Sequence, residues 1–84
     1  MNTIYKRPNR FKKLNTKEVL EAMINGAILV KTYGVYSYWS LEFSDGSKHY
    51  NIRKGAAESA KSSKNVVLIE ANKHGASYKI TQPQ

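Results

Sequence analysis

His49 and His74 are the only imidazoles in the chain, and six carboxylates (Glu18, Glu21, Glu42, Asp45, Glu58 and Glu70) are the only acids that could work with them. General acid–base or metal chemistry needs at least two such groups held against each other in a cleft. The spacing offers little: the histidines stand 25 positions apart, each beside a turn signal, and the one acid within reach is Glu42, which a strand pairing would set opposite His49. A cross-strand charge contact is the ordinary outcome of such a pair. Cysteine is absent, which removes thiolate catalysis, disulfides and Cys-based zinc or iron–sulfur sites together. No phosphate-loop, dinucleotide-binding or zincin motif occurs. The expectation is a non-catalytic protein without cofactor or metal.

Positive charge is the stronger signal. The formal net charge is +8, and it is unevenly spread. Residues 1–17 hold Lys6, Arg7, Arg10, Lys12, Lys13 and Lys17 with no acid, whereas the remaining 67 residues hold eight bases against six acids. Such an arm repels itself unless an anionic surface meets it, which fits phosphate recognition; a merely solubilising tail is the alternative.

Tyrosine supplies the other candidate chemistry. If Gly34-Val35 and Asp45-Gly46 each form a two-residue hairpin turn, three strands result, roughly 28–33, 36–44 and 47–52. Thr32 then faces Ser37, Val30 faces Trp39, Leu41 faces Tyr50 and Trp39 faces Ile52. The two turns agree on one inner face of Ile28, Val30, Trp39, Leu41, Tyr50 and Ile52. The outer face carries Lys31, Tyr33, Tyr36, Tyr38, Ser40, Glu42, His49, Asn51 and Arg53, with Lys31 opposite Tyr38. Aromatic rings beside Lys and Arg suit single-stranded nucleic acid, because every base offers a π-face and a phosphate. Tyrosine is also a common strand former without any ligand.

Other elements must hold these residues. Asn15 with Glu18 three residues on reads as a capping box. Val19, Leu20, Met23, Ile24 and Ala27 recur at helical spacing, and Gly26 is a natural stop, giving a helix over 16–25. A weaker helix over 53–64 is carried by Ala56, Ala57 and Ala60. Strands at 66–71 and 76–80 flank a basic loop at Asn72-Lys73-His74-Gly75. The fold expected is a single small α+β domain, αβββαββ, over 15–81, preceded by a flexible basic arm over 1–14 and followed by a frayed tail over 82–84. No apolar run approaches a bilayer span and no signal-peptide core is present, so a cytoplasmic protein is expected.

The order of elements also permits a winged-helix-like presentation to duplex DNA, with Arg53, Lys54, Lys61 and Lys64 on the second helix and Lys73 and His74 at the hairpin tip. Against it, three strands stand where a supporting helix should be, and Ala, Ser and Lys discriminate bases poorly.

Two functions follow as expectations. The first is a small accessory or regulatory protein that binds DNA or RNA through Lys6, Arg7, Arg10, Lys12, Lys13, Lys31, Tyr36, Tyr38, Arg53, Lys54, Lys61 and Lys73. The second is an interaction or inhibitor protein that docks on a host protein, with exposed tyrosines as anchors. In composition the chain resembles such small proteins of phages and other mobile elements. A monomer or a homodimer suits both, the latter through an unpaired edge at 76–80.

Overall fold

The computed structural model describes residues 5–81. Helix α1 (Thr16–Ile24) is followed by β1 (Ile28–Thr32), β2 (Tyr38–Glu42) and β3 (Lys48–His49), then α2 (Ala56–Lys61), β4 (Val66–Asn72) and β5 (Gly75–Ile80). This is the αβββαββ order expected, and all five strands join one antiparallel sheet in the order β3-β2-β1-β5-β4. The tail over 82–84 and the first four residues of the arm lie outside the described residues.

Helix α1 starts as the sequence dictates. The Asn15 side chain accepts from the Glu18 amide at 2.9 Å, and Glu18 Oε1 accepts from the Asn15 amide at 3.0 Å, completing the capping box. It stops at Gly26, whose φ of 103° is the left-handed conformation a helix terminator needs. Val19, Ala22 and Met23 line its inner face and meet Leu29 of β1, Leu41 of β2, and Ala57 and Ala60 of α2. Helix α2 therefore lies on the same side of the sheet as α1. Its small residues bury little area each, but they let the second helix approach the first closely. The opposite face of the sheet carries no helix among the described residues.

The meander's strands lie within the stretches the sequence assigns, but β2 covers only Tyr38–Glu42 of 36–44 and β3 only Lys48–His49 of 47–52, and both hairpin registers are displaced by one residue. Thr32 pairs with Tyr38, Val30 with Ser40 and Leu29 with Leu41; across the next pair, Leu41 meets His49 and Glu42 meets Lys48. The cause lies in the turns. A two-residue turn led by Gly34 requires positive φ there, and Gly34 does not adopt it; residues 33–37 form a five-residue loop instead. At the second turn only Gly46 is left-handed, with φ 89°, and the Phe43 amide bonds the Ser47 carbonyl at 2.9 Å around a three-residue loop. That is the type I turn with a following left-handed glycine, favoured where Asp45 stays at negative φ.

Because side chains alternate with period two, each slip flips one strand. Leu29, Lys31 and His49 face the helices, whereas Ile28, Val30 and Tyr50, expected inside, face the other way. Trp39 and Leu41 keep their inward placement, and Tyr38, Ser40 and Glu42 their outward one. The hairpin pairs through β5 with β1, which corrects the expectation of a free edge at 76–80: β5 is interior, and β4 is the edge. Gly75 is needed at that junction, since a Cβ there would collide with the Lys31 carbonyl.

Candidate functional site

The described part of the basic arm is tied to the β3 side of the sheet. Leu14 forms a parallel bridge with Ile52: its amide bonds the Asn51 carbonyl at 3.0 Å, and its carbonyl accepts from the Arg53 amide at 2.8 Å. Its side chain is fully buried in the core, so the folded body extends to Leu14. Upstream, His49 lies 3% exposed with Nε2 at 2.8 Å from the Lys12 carbonyl and 3.2 Å from that of Asn51. Both partners are carbonyls, so Nε2 carries the proton and donates. His49 is thus a clasp for the arm. It does not face Glu42, which corrects the cross-strand pair expected. Asn51 Nδ2 donates to the Phe11 carbonyl at 2.6 Å, and Tyr5 packs against the core, where burial, with Glu21 near, pushes its hydroxyl pKa up.

Arg7 closes the far end of this strap. Its guanidinium bonds Asp45 Oδ2 at 2.9 Å and Ser47 Oγ at 3.0 Å, and lies 4.4 Å from the centre of the Phe43 ring. Asp45 also accepts from the Ser47 hydroxyl at 2.7 Å and its amide at 2.9 Å. These Ser47 bonds, with Arg7 added, hold the Asp45 carboxyl well below the usual carboxylate range. The Asn15 amide and then the Lys12 ammonium, 2.9 Å away, lower Glu18 likewise.

Beside the strap, a cleft of about 350 Å³ opens because β3 pairs with β2 over two residues only. Past His49 the chain diverges toward Leu14, leaving Tyr38 and Trp39 unpaired by β3. The cleft lies between those two residues and the segment Tyr50–Ala57, and it includes Arg53, Lys54 and Glu58. Tyr38 and Tyr50 stand together with ring centres 5.9 Å apart and planes at 53°. Both are about half exposed. Among the described residues neither Arg53 nor Lys54 has an acid within 4 Å, although Arg53 is near enough for its charge to help lower the Glu18 pKa; Glu58 is engaged by Lys31 at 3.6 Å and Lys61 at 3.9 Å.

The twelve residues expected to bind fall into three groups. Tyr38, Arg53 and Lys54 meet in the cleft, and Arg7, Arg10, Lys12 and Lys13 lie on the strap along the same edge, with Lys6 exposed beside Arg7. Lys31 and Lys61 are on the helix side, where Lys31 lies 5.1 Å from the centre of the Trp39 ring and Lys61 5.9 Å from that of Tyr78. The pairing of Lys31 with Tyr38 is therefore corrected: Lys31 stands opposite Trp39. Tyr36 and Lys73 sit in the 33–37 loop and the β4–β5 turn, which meet where the Tyr33 amide bonds the His74 carbonyl at 2.9 Å. That turn is held against β1, and α2 spans only six residues, so neither a free wing nor a projecting recognition helix is presented.

Tyr50, read from sequence as core, is the residue missed; Trp39 keeps its inward placement against the core and also lines the cleft. Asp45 held at negative φ beside Gly46 was the signal that could have found Tyr50, since a three-residue loop reverses its face. Phe11 was missed as well; it is 73% exposed, with Arg10 4.8 Å from its ring centre. Among the described residues no group of three His, Asp or Glu side chains could hold a metal ion, and no helix is long and apolar enough to cross a membrane. Comparison with known protein families, characterised proteins and solved structures finds no match.

Proposed function

We propose that this chain is a non-catalytic nucleic-acid-binding module that takes a single strand of DNA or RNA along its β3 edge, as an accessory or regulatory protein of the cytoplasm. The observation that carries the reading is the Tyr38–Tyr50 pair set beside Arg53 and Lys54 in an open cleft. A tyrosine ring there stacks on an unpaired base, and the two cations take the adjoining phosphates. The cleft's size suits a base rather than a duplex groove. Arg10 and Lys13 on the strap extend the phosphate track, because the backbone at Leu14 runs hydrogen-bonded beside Arg53. Arg7 and Lys12 add to it at little cost, since ion pairs this exposed are weak.

The test is binding to single- and double-stranded probes across a salt series. Affinity for the single strand should fall steeply, with a log–log slope of about −0.7 for each phosphate neutralised. A flat salt response, or no binding at low salt, removes the reading.

The 33–37 loop favours a second reading, in which the partner is a host protein. Val35 and Tyr36 are 95% and 84% exposed, and an aromatic at such a tip is a common interface anchor. Capture of a partner that survives nuclease treatment and is lost in Tyr36→Ala would favour this second function over the first.

A further inference from the structure

Phe11 lies on the strap, outside the cleft, and is 73% exposed. A lone exposed ring is ordinary on a protein surface, so only its setting distinguishes it. This ring sits on a pinned turn. The Lys12 amide bonds the Asn9 carbonyl at 2.8 Å and the Phe11 amide bonds Asn9 Oδ1 at 2.9 Å, which puts Arg10 and Phe11 at the two corners. The turn is fastened to the sheet through its carbonyls: that of Phe11 accepts from Asn51 Nδ2 at 2.6 Å, and that of Lys12 from His49 Nε2 at 2.8 Å. These bonds use the backbone of residues 11 and 12, so the Phe11 ring fastens nothing and is held out on a preorganised support. The Arg10 guanidinium, 4.8 Å from the ring centre, covers one face and leaves the other open. Neither Arg10 nor Lys13 has an acid within 4 Å among the described residues. Asn51, which holds the Phe11 carbonyl, directly follows Tyr50, so the turn abuts the segment that carries the cleft's tyrosine pair.

We propose that Phe11, backed by Arg10, is a second stacking platform for a nucleobase. A single strand at the β3 edge then places one base against the Tyr38–Tyr50 pair and another, further along, on the open face of Phe11. This rests on the nucleic-acid reading of the cleft and adds a subsite to it. Stacking asks only for a π-face on each side, so a phenylalanine serves any base without needing a polar group of its own. Arg10 on the far face polarises the ring, and its N–H donors at the rim, with the Lys13 ammonium, meet the phosphates that lead to the stacked nucleotide. A lipid surface is the other partner a ring among cations could take. One phenylalanine gives it little hold, since even a whole acyl chain anchors a protein only marginally.

Binding of a short mixed-sequence single-stranded oligonucleotide to the intact protein, over a salt series, tests this. Phe11→Ala should weaken binding by about 5- to 150-fold, the range of one stacked base, and should leave the salt slope unchanged because no phosphate contact is lost. Phe11→Leu keeps an apolar side chain but no π-face, so it should lose as much as Phe11→Ala, whereas Phe11→Trp should bind at least as tightly as the parent. Arg10→Gln should weaken binding and also reduce the salt slope by about 0.7, as the loss of one phosphate contact requires. Because the ring is exposed and fastens nothing, the Phe11 variants should melt as the parent does. Full affinity in Phe11→Ala or Phe11→Leu, a changed salt slope in Phe11→Ala, or a Phe11→Ala defect confined to vesicles of anionic phospholipid would each overturn the proposal. With Tyr50→Ala still weakened, any of these leaves the cleft reading standing; a parent that binds no single strand at low salt removes both.

Discussion

At the β3 edge a two-residue strand is overlaid by a cationic strap and flanked by paired tyrosines, whereas at the β4 edge a seven-residue strand, with Glu70 as its one charge, has no outer neighbour among the described residues. The same sheet therefore ends in two surfaces of different chemistry. The β3 edge gains from a long-range field that salt screens. The β4 edge offers apolar area and backbone groups, which salt hardly weakens. Because the two edges lie at opposite ends of the sheet, binding at one need not disturb the other.

The sharpest way to break the contrast is Leu14→Ala. Leu14 is fully buried and is the point where the strap enters the core, so its loss should cost about 2–5 kcal/mol, measured by urea denaturation, and should loosen the strap while β4 keeps its exchange-protected bonds to β5. Gly75→Ala attacks the opposite end. The new methyl collides with the Lys31 carbonyl and pries the β4–β5 hairpin from β1, with a loss of about 1–3 kcal/mol that thermal melting would show. Tyr50→Ala should leave stability nearly unchanged and cost about 1–3 kcal/mol in single-strand affinity, as one stacked base predicts. Titration of an end-labelled oligonucleotide separates this from Val67→Ala, which should bind as the parent does.

The smallest effect is the pH response of the strap. Asp45 has a lowered pKa in the fold, so its contribution is complete above the ordinary carboxylate value near 3.8 and is lost as pH falls through the lower folded value. The amide signal of Ser47, which donates to the Asp45 carboxylate, should register Asp45 protonation only well below the ordinary carboxylate value, as pH approaches the lowered folded pKa. In Asp45→Asn that late shift should vanish, while signals from β4 are the same in both proteins.

Much of the fold was legible because local signals act alone. The capping box at Asn15 and Glu18 and the stop at Gly26 need no tertiary partner, and the strands at 28–32, 38–42 and 66–72 announce themselves by β-branched and aromatic content. Register was not legible, and the reason is instructive. Both turns were assumed two residues long, and each is longer by an odd number, so both flanking strands flipped relative to β2. Their mutual agreement survived because it tests only whether the two errors match in parity. The run Ile28-Leu29-Val30 is apolar on either face and could not object. At the candidate site, the cations of the arm and Tyr38 were singled out by residue type alone. Tyr50 and the clasp at His49 were hidden, since both depend on that parity and on a strap whose docking is set by backbone carbonyls rather than by any residue pattern.

Trp39 is the only tryptophan in the chain, and it lines the cleft beside Tyr38. Its fluorescence during titration with a short single-stranded oligonucleotide therefore reports directly on the central claim. Binding along the β3 edge predicts quenching that saturates, moves to higher oligonucleotide concentration as salt is raised, and shifts further in the double variant Arg53→Gln/Lys54→Gln. Unchanged emission at low salt, or a titration indifferent to salt and to both substitutions, would contradict it.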